Sequence, residues 1–164
     1  MISGNFYFIS DDYFIKFKDE ALMTNKELIN GVEHNRPCYY AFKDESDERI
    51  LWMIPVSSQI QKYEEQYNKS IERYGLCDAI SFGYLKGNKN AFLLQNMCPV
   101  IEKYILNEYC DAQTARPISI PKDLKKELNA KARKIIRRRN QGKKLSFTNI
   151  IEMKQELIRE LSSL

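Results

Sequence analysis

The 164-residue sequence predicts an α+β fold, a mostly antiparallel sheet early in the chain with two helices packed on it late. Apolar runs on either side of residues 44–48, and again on either side of 86–90, give two hairpin signals. After Pro121, apolar residues recur at three- and four-residue spacing, the period of a helix face.

Taken in order, Asn5-Phe6-Tyr7-Phe8-Ile9 reads as a short strand. Ser10 can cap a short helix whose first turn holds Asp11 and Asp12. Residues 19–35 show no clear periodicity and are expected to be a loop. Pro37 opens the strand 38–42, where a missing amide is tolerated. The charged turn 44–48 returns the chain into the strand 50–56. A helix from about Gln59 to Arg73 closes near Gly75. Residues 79–85 and 91–94 pair across a turn at 86–90. Pro99 interrupts the next apolar run, and residues 100–105 suit strand or helix equally. Pro121 starts a helix carrying Leu124, Leu128, Ala132 and Ile135, which Gly142 ends. Ser146 or Thr148 caps a last helix with Ile150, Ile151, Leu157, Ile158 and Leu161 inward.

The composition, 43% hydrophobic and 29% charged, is that of one domain over residues 1–164 with a real core. No apolar run approaches the roughly 20 residues that span a bilayer, and residues 1–5 lack the marks of a signal peptide. A cytoplasmic protein with no membrane partner is expected. Cys38, Cys77, Cys98 and Cys110 form no C-x-x-C pair, and His34 is the one histidine. A zinc site therefore lacks its usual spacing, and the cysteines read as free thiols. No G-x-S-x-G elbow or glycine-rich nucleotide loop occurs, so no cofactor is expected.

Charge is unevenly placed. Residues 122–144 hold eleven Lys or Arg against Asp123 and Glu127, a net +9 that leaves −5 on the rest of a chain whose total is +4. Lys125, Lys126, Lys131, Arg133, Lys134, Arg137, Arg138, Arg139, Lys143 and Lys144 have few acidic neighbours in sequence. That density suits phosphate tracking along a nucleic acid, although such a helix can also be a plain solvated face.

The candidate site joins two adjacent strands. His34 and Arg36 precede the first, and Ser57, Ser58 and Lys62 follow the second. In RNA cleavage the 2′-hydroxyl attacks its own phosphate, so the protein must move two protons and stabilise a phosphorane. No metal is required for that attack. An imidazole exchanges protons near neutral pH, and a guanidinium can fork a phosphate. The hydroxyls can bind phosphate oxygens where the next helix begins, and Lys62 lies one turn beyond Ser58. Each residue also has an ordinary reading: loop histidine, salt-bridged arginine, helix-capping serines, solvated lysine.

At this point the chain resembles the ToxN/AbiQ endoribonuclease toxins of type III toxin–antitoxin systems, and within them the CptN branch. The matching stretches are Phe6-Tyr7-Phe8-Ile9-Ser10 with Tyr13, Asn35-Arg36-Pro37, and Ile54-Pro55-Val56-Ser57-Ser58. Leu94-Gln95-Asn96-Met97-Cys98-Pro99-Val100, Ala132-Arg133-Lys134-Ile135 and Leu145-Ser146-Phe147 continue them in order over nearly the whole chain. The resemblance implies a compact, highly curved antiparallel sheet, a Kid/MazF-like barrel, with helices packed around it. It implies a metal-independent endoribonuclease that leaves a 2′,3′-cyclic phosphate. It implies an RNA partner as well: a repeated antitoxin, folded as a pseudoknot, that the toxin cuts from its precursor and holds in a closed protein–RNA assembly. Cellular mRNA would be the other substrate, and growth control or abortive infection the setting. The family's hydroxyl pair falls on Ser57 and Ser58, with serine at the first position where threonine is common. Its following lysine falls near Lys62 after a different number of residues, and His34 and Arg36 stand nearest to its remaining site groups.

The expected assignment is Ser57 and Ser58 on the scissile phosphate, Arg36 and Lys62 on the phosphorane, and His34 in proton transfer. The basic helix and Lys143-Lys144 would grip the antitoxin backbone. A non-catalytic RNA-binding regulator using the same helix is the alternative, and a module whose helix binds an acidic protein is a third.

Overall fold

A computed structural model describes residues 1–19, 21–144 and 147–164. The hairpin expected around residues 44–48 is its centre, with β4 (Cys38–Lys43) paired antiparallel to β5 (Leu51–Ser57). Every residue of β5 is buried. Alternate side chains enter opposite layers, which is why β5 reads as a continuous apolar run rather than a two-residue alternation. Trp52, Ile54 and Val56 face one layer with Phe6, Tyr39 and Phe92, while Leu51 and Met53 face the other with Tyr40 and Val100.

The remaining strands extend from this pair. On one flank β4 meets β1 (Phe6–Ile9), and β1 meets β9 (Ile105–Glu108). On the other, β5 pairs through Val56 and Ser57 with β7 (Asn88–Leu93) and through residues 51–53 with β8 (Cys98–Val100). A 3-10 turn at Leu94–Asn96 separates those two. β7 pairs in turn with β6 (Ile80–Leu85). Among the described residues the sheet has seven strands in the order β6-β7-β5-β4-β1-β9, with β8 beside β5. Register shifts in β1/β9 and β4/β5 mark bulges, which bend strands. Among the described residues no pairing joins β6 to β9, so the sheet is not closed into a barrel.

The undecided run 100–105 is neither one strand nor one helix. β8 ends at Val100, a 3-10 turn covers Glu102–Tyr104, and β9 begins at Ile105. Pro99 is accommodated because β8 pairs with β5 on one side alone among the described residues.

The largest departure from expectation lies in residues 19–35. In place of a loop there is a separate two-stranded sheet, β2 (Lys26–Ile29) and β3 (Val32–Asn35). Asn30 and Gly31 join them with φ of 52° and 75°, the left-handed pair that a tight hairpin turn needs. The turn of β6–β7 is equally short, Lys86-Gly87 at φ 52° and 78°, rather than the five residues expected.

Helices cover both faces. α1 (Asp11–Lys16) and α4 (Ile150–Ser162) place Tyr13, Met153 and Leu157 on the Tyr40–Met53 layer. α3 (Lys122–Asn140) buries the expected Leu128, Ala132 and Ile135 on the Tyr39–Trp52 layer. Leu124 of α3 lies over Gly83, where a Cβ would collide with it. α2 (Ile60–Tyr74) ends at a left-handed Gly75 as expected, and its Tyr63 packs on Ile80, Ala91 and Leu93. Helix capping differs from expectation in two places. The Ser10 hydroxyl makes no cap bond to α1. Thr148 donates to the Met97 carbonyl at 2.6 Å, and the N-cap of α4 is Asn149; Leu145 and Ser146 lie outside the described residues. Among the described residues no helix is long and apolar enough to cross a membrane.

Candidate active site

The end of β5 carries the two serines. Ser57 is buried and Ser58 exposed. Neither caps α2, whose N-cap is Gln59; the Gln59 amide donates to Ser57 Oγ at 3.2 Å. The serines' own donors converge instead on Glu27, a residue the sequence analysis did not single out. Its Oε1 accepts from Ser57 Oγ at 3.1 Å and from both the amide and the Oγ of Ser58 at 2.9 Å.

Glu27 is the one buried member of β2 and β3, at 7% exposure. The Asn30-Gly31 turn fixes the register so that Glu27 stands directly opposite His34. Directly opposed residues of an antiparallel pair project on the same side, with Cβ atoms about 5 Å apart. His34 is therefore a solvent-exposed strand residue beside a carboxylate, not a loop histidine.

Arg36 lies beneath this pair at 6% exposure. Its Nε donates to the Thr24 carbonyl at 2.9 Å, Nη1 to the Val56 carbonyl at 2.9 Å and Nη2 to the Lys26 carbonyl at 3.4 Å. Nη1 is also 3.8 Å from Glu27 Oε2. The guanidinium thus ties β2 to the end of β5 and balances the buried carboxylate. The open fork expected to grasp a phosphate is already occupied.

Above Glu27 a groove of about 780 Å³ runs between the β2–β3 and β6–β7 hairpins. Glu27, His34 and Ser58 line one wall, while Lys86, Lys89 and Tyr109 line the other. Lys86 Nζ sits 5.1 Å from the centre of the Tyr109 ring, and Lys89 pairs with Glu64 at 2.5 Å. Two lysines and an aromatic surface facing a hydroxyl, an imidazole and a carboxylate suit a nucleotide phosphate and its base. The sequence offered one signal for Glu27 and none for Lys86: reading Asn30-Gly31 as a hairpin turn places Glu27 opposite His34 by counting alone.

Lys62 is exposed, with Nζ 5.3 Å from the centre of the Tyr63 ring. It borders a second depression with Ser58 and Gln59, so Ser58 forms the ridge between Lys62 and the groove holding His34. Within the basic helix the structure divides the cations. Lys131 pairs with Glu127 at 3.0 Å and donates to Ser81, Lys134 pairs with Asp78 at 2.6 Å, and Arg133 pairs with Glu45 while stacked 4.0 Å over Phe42. Arg139 donates to Asn149. Lys125, Lys126, Arg137, Arg138, Lys143 and Lys144 make no ion pair with the described residues. Acidic neighbours are few along the helix itself, and Glu45 and Asp78 reach Arg133 and Lys134 from distant parts of the chain.

Comparison with protein-family models gives no match, and neither does comparison with curated proteins. Among solved structures, the fold is similar to that of AbiQ, a lactococcal anti-phage endoribonuclease belonging to the type III toxin–antitoxin system. The similarity covers 81% of this chain and 80% of that one, at a TM-score of 0.57 and 14% sequence identity. It establishes a shared α+β architecture.

Proposed function

We propose that this protein is the toxin of a type III toxin–antitoxin system, an endoribonuclease that cuts single-stranded RNA and its own antitoxin precursor without a metal. The observation that carries the reading is the groove at the end of β5, where Ser58, His34 and Glu27 face Lys86 and Lys89. An AbiQ-like architecture surrounding that groove supports it.

In the proposed reaction a phosphodiester lies in the groove with a non-bridging oxygen on the Ser58 hydroxyl, while Ser57, buried and not on the groove wall, holds Glu27 from within. The 2′-oxygen attacks phosphorus, and the P–O5′ bond breaks to leave a 2′,3′-cyclic phosphate and a 5′-hydroxyl. His34, at the open edge, gives a proton to the departing 5′-oxygen. Arg36 acts from below as a fixed positive charge rather than as a fork, and Lys62 flanks the strand beyond Ser58. Charges fixed before the reaction stabilise the phosphorane without reorganising.

The antitoxin, a repeated RNA folded as a pseudoknot, would lie on the unpaired cations of α3 and on Lys143-Lys144, in a closed protein–RNA assembly in the cytoplasm. Incubation of the pure protein with single-stranded RNA in excess chelator tests the activity. Ser58→Ala should lower the rate about 10²- to 10³-fold while antitoxin affinity stays within a few-fold. No cleavage by the wild-type protein would favour the non-catalytic RNA-binding regulator.

A further inference from the structure

Glu27 presents a physical problem that the fold alone does not explain. A buried carboxylate is costly even when paired, and a strut between β2 and β5 is made as well by an apolar side chain. Here the carboxylate is the only buried side chain of its hairpin, its Oε1 collects three donors, and it lines the groove beside His34. The exposed Ser58 hydroxyl among them is the donor assigned above to the scissile phosphate. Phosphate and carboxylate compete for it.

We propose that Glu27 is the general base of the reaction, armed by surrendering its hydrogen bond from the Ser58 hydroxyl to the incoming phosphate. This rests on the endoribonuclease reading. In the free protein Ser57 and Ser58 donate to Oε1 and hold the carboxylate in place. When a phosphodiester enters, the Ser58 hydroxyl turns to its oxygen, while the buried Ser57 hydroxyl and the Ser58 amide keep the carboxylate in place. Glu27 then has an Oε1 lone pair free on the groove side, where the substrate's 2′-hydroxyl can donate to it. The 2′-hydroxyl proton passes to Glu27 as the 2′-oxygen bonds to phosphorus. The P–O5′ bond then breaks, and the 5′-oxygen takes its proton from His34. Proton return from Glu27 and to His34 through solvent closes the cycle with atoms and charge balanced. The charged groups facing Glu27 are His34 on β3 and Arg36 before β4, with Lys86 and Lys89 across the groove.

Single-turnover cleavage of RNA by Glu27→Gln tests the proposal, alongside binding of the all-2′-deoxy form of the same strand. The expected result is a rate loss of about 10²- to 10⁴-fold with affinity for the deoxy strand unchanged or raised. The acid limb of the pH–rate profile should also disappear. A rate within about 3-fold of wild type, or a retained acid limb, overturns the proposal and leaves Glu27 as a strut. Should the Gln variant not fold, Glu27→Asp keeps the charge but withdraws it by one methylene. It should lose about 10-fold or more while keeping the acid limb, and a wild-type rate there overturns the proposal equally. Cleavage by wild type and by Glu27→Gln alike removes the base and spares the nuclease, whereas inactivity of the wild type removes both.

Discussion

Glu27 and His34 oppose each other across the β2–β3 pair, one carboxylate buried among serine donors and one imidazole open to the groove. A short hairpin with a fixed register sets this relationship, so the two groups share a side of the strands and differ in burial. For an in-line displacement at phosphorus, that difference suits distinct duties: a sheltered base for the entering oxygen and a solvent-connected acid for the leaving one.

The acid can be tested by the leaving group. His34→Ala should slow RNA cleavage about 10²- to 10⁴-fold. On a nucleoside 3′-phosphate ester of nitrophenol, whose leaving oxygen needs no proton, the same variant should approach the wild-type rate. An equal loss on both substrates would remove His34 from that role.

Arg36 should prove structural at the same time. Arg36→Ala strips three carbonyls of donors and leaves Glu27 buried without its counter-charge. A loss of about 3–5 kcal/mol in denaturant unfolding is expected, and Arg36→Lys should recover little because one ammonium cannot span those acceptors. A loss under about 1 kcal/mol would contradict this placement.

Asp44 makes stability depend on pH. Burial opposes its ionisation, but hydrogen bonds from Lys154, Ser46 and Trp52 overcome that and hold the carboxyl at about 2, below the ordinary 3.8. Because the folded value is the lower one, the contribution is complete above about pH 4 and is lost as pH falls towards 2. Asp44→Asn should therefore destabilise by about 2 kcal/mol at neutral pH, with the gap to wild type closing near pH 2. Comparison with wild type at each pH is needed, since Glu160 is also held at about 2 against burial by Lys103, Tyr104 and Lys16.

The basic helix should divide in function as it divides in pairing. Replacing Arg137, Lys143 and Lys144 by Ala should weaken RNA binding and lower the salt slope by roughly 2–3. Lys134→Ala breaks the pair with Asp78 and should leave that slope nearly unchanged. Equal effects of both sets on the slope would contradict that division.

The elements legible in the sequence were those whose pattern is set by burial. The α3 stripe Leu128, Ala132 and Ile135 and the hairpin of β4 and β5 are where expected. The β2–β3 hairpin was not legible from periodicity, because its strands are four residues long and Leu28 and Val32 are exposed. Its one written mark is Asn30-Gly31. Missing that turn hid Glu27, and with it the partner that holds Ser57 and Ser58. The ion pairs of Arg133 and Lys134 were hidden for another reason, since Glu45 and Asp78 reach them only through the tertiary fold. Barrel closure likewise depends on pairing between distant edges, which no local pattern records.

The most direct test of the central claim is to identify the ends left on single-stranded RNA by the pure protein in excess chelator. Attack by the substrate's own 2′-hydroxyl predicts a 2′,3′-cyclic phosphate on one fragment, a 5′-hydroxyl on the other, and no cut in the all-2′-deoxy strand. Fragments with a 5′-phosphate, cleavage of the deoxy strand, or no cleavage without added metal would contradict it.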